Sequence, residues 1–388
     1  MSHALRLEGR ALLDRELVDP AVVLVSEGQL AWCGPASSAP STPVDETVQH
    51  EGLIAPAYVD LHVHGAAGAD ATDGTDESLQ ILCRAHGVCG TAALCPTLLT
   101  SPPETLLSAL EVIRGATGSR PGQGARVLGA HLEGPFLSPR RAGAQPAEHL
   151  RAPDRRLMEE LLAAADGTLR IVTLAPELPG ALDLVELLVE RGVTVSIGHS
   201  DATWDEARAA IERGARLAAH TFNAMRPLHH REAGVVGAVL LADEVTTEVI
   251  ADGVHVSTPM LQLLWRLKGA LDRLCLVTDC TAALDAPAGG ARLGDRSVEV
   301  RDGAVRLPDG TLAGSSLTME RAVMQLAQQS HVPLEGALGA ASGVPAAVLG
   351  LAGHGRLVPG ATADLVLLDP MLRVERVLIG GRWLAGRP

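Results

Sequence analysis

VTVSIGHSDATWDEARAAIERGARLAAH, residues 193–220, contains a whole strand–helix–strand repeat. Val193 to His199 and Arg216 to His220 are apolar runs of strand length, and each ends in histidine. Between them Asp205 to Arg213 has apolar positions at helical spacing, with Asp201 and Thr203 as candidate caps. Outward from this unit, six further runs have strand character: Tyr58 to His62, Gly90 to Pro96, Val127 to Glu133, Leu169 to Pro176, Glu248 to Asp252 and Leu274 to Asp279. Helical stretches such as Leu182 to Glu190 lie between them. Eight strand and helix units in alternation predict an α/β fold of the (β/α)8 TIM type.

Both chain ends read differently. Short strands around Ala21 to Val25 and Leu30 to Trp32, then Asp364 to Leu368 and Val374 to Ile379, are punctuated by Gly and Pro. They are expected to pair into a small β-sandwich domain, residues 1–55 with 349–388, beside a barrel at 56–348. A hairpin of Ser297 to Val300 and Ala304 to Leu307 around Asp302 and Gly303 is expected before a helix near Leu317 to Ser330.

The 388 residues are 47% hydrophobic but only 2% aromatic, so the core is expected to be built of small and branched side chains. No apolar stretch reaches the roughly 18 residues of a membrane span, which makes a cytoplasmic protein with no membrane partner the expectation. A net charge of −14 argues against nucleic acid as a partner, because such grooves need clustered positive charge. Cys33, Cys83, Cys89, Cys95, Cys275 and Cys280 lack a CxxC pair and read as buried thiols.

The chemistry is concentrated at strand ends. His62 and His64 close the first strand, Glu133 the third, His199 the fifth, His220 the sixth and Asp279 the eighth. In a barrel these ends converge on the C-terminal face, where active sites lie. Side chains at i and i+2 share a face, so His62 and His64 address one place. With Glu133, His199 and His220 they suit one or two divalent cations per subunit, Zn or Fe, in a catalytic site. His131 is expected to support the ligands by hydrogen bonding. Asp279 suits a proton shuttle in metal-assisted hydrolysis of an amide.

The blocks APAYVDLHVHG, HLEGPFLSP, GHSDAT, HTFNAM, HREAG, ADGVHV, LCLVTDC, LAGSSLTM and GRLVPGATADLVLLD resemble the N-acetylglucosamine-6-phosphate deacetylases of the amidohydrolase superfamily over nearly the whole chain. The resemblance implies hydrolysis of an N-acetyl amino-sugar phosphate, ligation by Glu133, His199 and His220, and Asp279 as catalytic acid/base. It also implies substrate contacts from Ala144, Gln145, Asn223, Ala224 and His255, a covering loop at Leu312, Ala313 and Gly314, and a homodimer in which Arg231 reaches the phosphate in the neighbouring active site.

The chain departs from that pattern at Gln145, where the family usually carries His; a neutral amide contact with a shift in rate or specificity is expected there, the alternative being that nearby His149 substitutes for the imidazole. Arg226, His229, His230 and Arg231 form a basic cluster suited to phosphate. Lys268, the sole lysine, lies between strands seven and eight, which disfavours a carboxylated-lysine bridge. The competing readings are a deacetylase for N-acetylgalactosamine 6-phosphate, another amidohydrolase of dihydroorotase type, and a non-catalytic metal-stabilised sugar-phosphate binder.

Overall fold

The computed structural model describes residues 4–289, 291–301 and 303–386. Eight parallel strands form the barrel: β1 (Tyr58–Val63), β2 (Thr91–Leu98), β3 (Ala130–Glu133), β4 (Leu169–Leu174), β5 (Thr194–Ile197), β6 (Leu217–Ala218), β7 (Thr246–Ile250) and β8 (Leu274–Val277). Each pairs with its neighbours in chain order, and Arg126–Val127 adds a short extra strand against β2. Closure comes just above the last pair, where Asp279 N–H donates to His62 O at 2.9 Å and His64 N–H donates to Cys280 O at 2.8 Å. Every residue of β2, TAALCPTL, is buried, as expected of a parallel strand covered on both faces.

Helices wrap the strands because their apolar stripes need the barrel wall. The helix expected after β5 is Trp204–Glu212, and its cap is Thr203, reciprocated by Glu206 in a capping box. Asp201, the other candidate cap, instead accepts from Arg141. Lys268 ends a helix at Thr258–Lys268 and is buried, donating to Ala242 O at 2.6 Å and Val245 O at 3.0 Å. It thus satisfies carbonyls at the end of the preceding helix, away from the barrel mouth.

The two chain ends form one seven-stranded sheet containing Leu5–Leu13, Glu16–Ser26, Gln29–Pro35, Glu46–Pro56, Leu365–Leu368, Val374–Ile379 and Arg382–Trp383. Its edge returns to its own tail: Leu30 N–H donates to Ala361 O and Gly360 N–H to Leu30 O, both at 2.8 Å. Leu5, Leu7, Val23, Leu30, Ile54, Leu365 and Leu378 are among the residues packed inside this curl. The faces of the expected sandwich therefore come from one continuous sheet.

After β8 an insertion covers the barrel mouth. Arg292–Leu293 pairs with Arg296–Ser297, and Glu299–Arg301 pairs with Ala304–Arg306. Asp302, at the expected turn, lies outside the described residues. Leu293, Val298, Val305, Leu307 and Ala313 make a small core of their own against Leu99 and Ala283. Arg292 pins this lid to Asp73 through contacts of 2.8 and 2.6 Å.

Candidate metal and substrate site

Three site residues share one backbone device. His199, His220 and Asp279 each follow the last residue of their strand by two positions, with φ of +46°, +28° and +48°. Left-handed backbone is uncommon outside glycine, and here it turns each side chain from the strand line across the barrel mouth. The strands expected to run to His199, His220 and Asp279 therefore stop short of them.

Glu133 is the centre of the cluster. Its Oε1 lies 2.9 Å from His220 Nε2, 3.2 Å from His199 Nε2 and 3.3 Å from His62 Nε2. Its Oε2 lies 3.4 Å from His64 Nε2, which is also 3.3 Å from Asp279 Oδ1. All of these residues are buried.

The other ring nitrogens fix how the imidazoles are protonated. His62 Nδ1 faces Glu248 Oε2 at 3.1 Å, His64 Nδ1 faces Thr97 O at 3.1 Å, and His199 Nδ1 faces Arg141 O at 2.9 Å. A carboxylate or carbonyl oxygen only accepts, so each Nδ1 carries a proton, and each ring turns its Nε2 toward the cluster. The Nε2 atoms of three rings then converge on the carboxylates of Glu133 and Asp279, and His62 Nε2 is buried without a hydrogen-bond partner. Such an array repels itself unless positive charge sits within it.

The titration directions show the same demand. Burial opposes charge on His62 and His64, but Glu133 and Asp279 overcome it, lifting His62 well above its usual value and His64 to about 9. Burial likewise opposes ionisation of the carboxyls, yet the surrounding histidines hold Glu133 well below the ordinary range and Asp279 at about 2. Glu133 with His199 and His220, and Glu133 with His62 and His64, each bring three donors together. The donors, nitrogen and carboxylate oxygen, fit a divalent transition cation.

His131 is no part of this set. Its Nδ1 donates to Leu61 O at 2.9 Å and its Nε2 bonds to Thr173 Oγ1 at 2.8 Å, so both ring nitrogens are engaged. Glu248, which orients His62, received no role from the sequence; the available signal was a carboxylate inside the buried strand TTEVI.

A cavity of about 250 Å³ opens above the cluster, lined by His64, Glu133, His199, His220 and Asp279 together with Ala144, Gln145, Asn223, Ala224, His255, Leu312 and Gly314. Residues far apart in sequence thus meet around one space. Leu99, Ile250, Leu293 and Thr311 also line it and were not anticipated. His255 Nδ1 is held by Asp252 Oδ2 at 2.7 Å, which presents Nε2 as the remaining polar atom of that ring. Gly314, at φ +59°, lies so near β8 that a Cβ would come 2.7 Å from Asp279 O. Only glycine brings this loop so close without displacing the backbone at Asp279.

Ala313 is placed otherwise, while Gln145 and Arg231 have partners that the sequence did not indicate. Ala313 is fully buried in the lid's own core rather than lining the cavity. The Gln145 amide is engaged by Thr100 N–H and by Glu133. Arg231 is exposed, with a 2.7 Å contact to Nε2 of the adjacent His230, and does not line the cavity of its own chain. His149 lies in a separate cavity with Thr72, Arg292 and Asp295, so it does not replace the family imidazole.

A closed parallel barrel with imidazoles and carboxylates converging at its C-terminal rim, flanked by a sheet from both chain ends, defines a metal-dependent barrel hydrolase. The amidohydrolase family model matches residues 53–384, and the chain belongs to the amidohydrolase family. It is 38% identical over 383 residues to the N-acetylgalactosamine-6-phosphate deacetylase of Escherichia coli O157:H7, spanning 98% of this chain and 99% of that protein. It is also 38% identical over 343 residues to the N-acetylglucosamine-6-phosphate deacetylase of Lysinibacillus sphaericus, spanning 87% of each. The crystal structure of N-acetyl-D-glucosamine-6-phosphate deacetylase from Mycobacterium smegmatis superposes with a TM-score of 0.91 at 34% identity, covering 99% of this chain and 100% of that one. The chain is an enzyme that hydrolyses carbon–nitrogen bonds. Among the described residues no helix is long and apolar enough to cross a membrane.

Proposed function

We propose that this enzyme hydrolyses the N-acetyl group of N-acetylglucosamine 6-phosphate, giving glucosamine 6-phosphate and acetate. The observation that carries the reading is the convergence of imidazole Nε2 atoms on Glu133 and Asp279 at the floor of a cavity walled by expected substrate residues. Glu133, His199 and His220 would hold one cation, and His62 and His64 with Glu133 a second, Zn or Fe in either place. Bound there, a cation supplies Lewis-acid polarisation of the acetyl carbonyl and lowers the pKa of the attacking water.

The chain's own groups do the rest. Asp279 is ionised at neutral pH, so its carboxylate accepts the proton of the attacking water. The same proton then passes to the amide nitrogen, the carbon–nitrogen bond breaks, and the amine leaves. Asn223 donates to His220 O at 3.2 Å, leaving its amide oxygen for a sugar hydroxyl. Leu293, Thr311 and Leu312 of the lid wall part of the cavity.

Arg231 is proposed to act on the phosphate of a neighbouring subunit in a homodimer, since its guanidinium is exposed and away from its own cavity. A cytoplasmic site is proposed from the substrate's phosphorylated state, and the chain is proposed to divide at about residues 56 and 349 into barrel and companion β domain.

The 4-epimer is the second reading, because the E. coli relative named for N-acetylgalactosamine 6-phosphate aligns over 98% of this chain. Acetate release measured on both epimers, with and without the 6-phosphate, tests the proposal. A kcat/KM at least tenfold higher for the gluco epimer is expected; no release from either phosphorylated sugar would overturn both readings.

A further inference from the structure

The side chain of Gln145 is 3% exposed and spans two fixed partners. Its Oε1 accepts from Thr100 N–H at 3.0 Å, and its Nε2 donates to Glu133 Oε2 at 2.5 Å. A backbone N–H only donates, so the amide oxygen must face Thr100 and the NH2 must face Glu133. That orientation assigns the carboxylate oxygens unequal tasks. Oε2 is held by Gln145 on the His64 side, and Oε1 is left to His62, His199 and His220.

Without the amide, Glu133 Oε2 loses its shortest contact and keeps His64 Nε2 at 3.4 Å. The Gln145 segment is itself braced. Its partner Thr100 is fixed too, since Thr100 Oγ1 donates to Glu133 O at 3.2 Å and ties the loop after β2 to the end of β3. On the other side Arg296 from the lid donates to Ala144 O at 2.9 Å. A neutral donor suits this place, because a cationic side chain would compete with a metal for the same carboxylate oxygen.

We infer that Gln145 is a positioning residue for the Glu133 carboxylate rather than a substrate contact, an inference that rests on reading Glu133 as a cation ligand. Gln145→Met keeps the side-chain length and removes both hydrogen bonds. Its Zn²⁺ affinity, measured by chelator competition, should fall about 10- to 100-fold. In excess Zn²⁺ its KM for the acetylated sugar phosphate should stay within about twofold while kcat falls.

Gln145→Asn retains an amide too short to span both partners, so an intermediate loss of Zn²⁺ affinity is expected. It carries the test should the Met variant fail to fold, as judged by thermal melting without metal. Unchanged Zn²⁺ affinity with a raised KM would show a substrate contact and overturn the assignment, as would no change in either quantity. Glu133→Gln is the control: if it binds Zn²⁺ as tightly as wild type, the ligand reading itself fails. If it loses Zn²⁺ while both Gln145 variants do not, only the role of Gln145 falls.

Discussion

Replacing Asp279 by Asn removes one proton-accepting oxygen and little else. At φ +48° most side chains are strained, but Asn tolerates left-handed backbone about as well as Asp, so the turn at the end of β8 survives. The Asn amide can turn either its O or its NH2 toward His64 Nε2 and His62 Nε2, now 3.3 and 3.6 Å from Asp279 Oδ1. Cavity shape and substrate binding should therefore persist. What is lost is the base: with Asp279 held at about 2, every wild-type molecule has it ionised at neutral pH, and the amide cannot take a proton. The usual worth of a general acid/base, about 10² to 10⁴ in rate, corresponds to about 2.7 to 5.4 kcal/mol of barrier. The assay is acetate release at saturating substrate, with metal content of the same samples measured by elemental analysis. A kcat within tenfold of wild type at equal metal content would refute the proton-shuttle role. A parallel loss of metal and activity would instead make Asp279 a ligand.

His199→Ala or His220→Ala should lose bound metal together with turnover, while His62→Ala should lower the metal stoichiometry by one at most; elemental analysis separates the two. Arg231→Ala should raise KM for the phosphorylated sugar at least tenfold more than for the unphosphorylated one, because only the former loses a charge-assisted pair. Mixed Arg231→Ala and Asp279→Asn subunits should regain activity if the arginine acts across the dimer, and equal KM changes for both sugars would remove it from phosphate recognition. His86 is fully buried, and burial lowers its pKa from 6.5 to about 4. The unfolded chain takes up that proton first, so its contribution to stability is complete above pH 6.5 and declines as pH falls toward 4. At pH 5 the loss is about 2 kcal/mol. Urea unfolding of wild type against His86→Gln should isolate this difference, and parallel pH curves for the two proteins would contradict it.

The barrel was legible in the sequence because buried parallel strands leave apolar runs, and because helices that cover them repeat at 3.6-residue spacing. Missed elements were less patterned: Arg6, Glu8 and Arg10 interrupt Leu5–Leu13, and none of the first seven residues of Glu46–Pro56 is buried. Strand ends were overextended at His199, His220 and Asp279, where left-handed backbone departs from the strand while the residue types continue to look suitable.

By itself the sequence determined which side chains have metal and proton chemistry: donor identity is covalent, and spacing on a strand places His62 and His64 on one face. Only the tertiary structure decided how those groups are used. Gln145 turns its amide on Glu133, Glu248 orients His62, Ala313 faces the lid core, and both nitrogens of His131 are taken by Leu61 and Thr173. Each outcome depends on partners from other strands or loops. Hydrogen-bond direction and side-chain facing are set by three-dimensional neighbours, which local residue type and spacing do not specify.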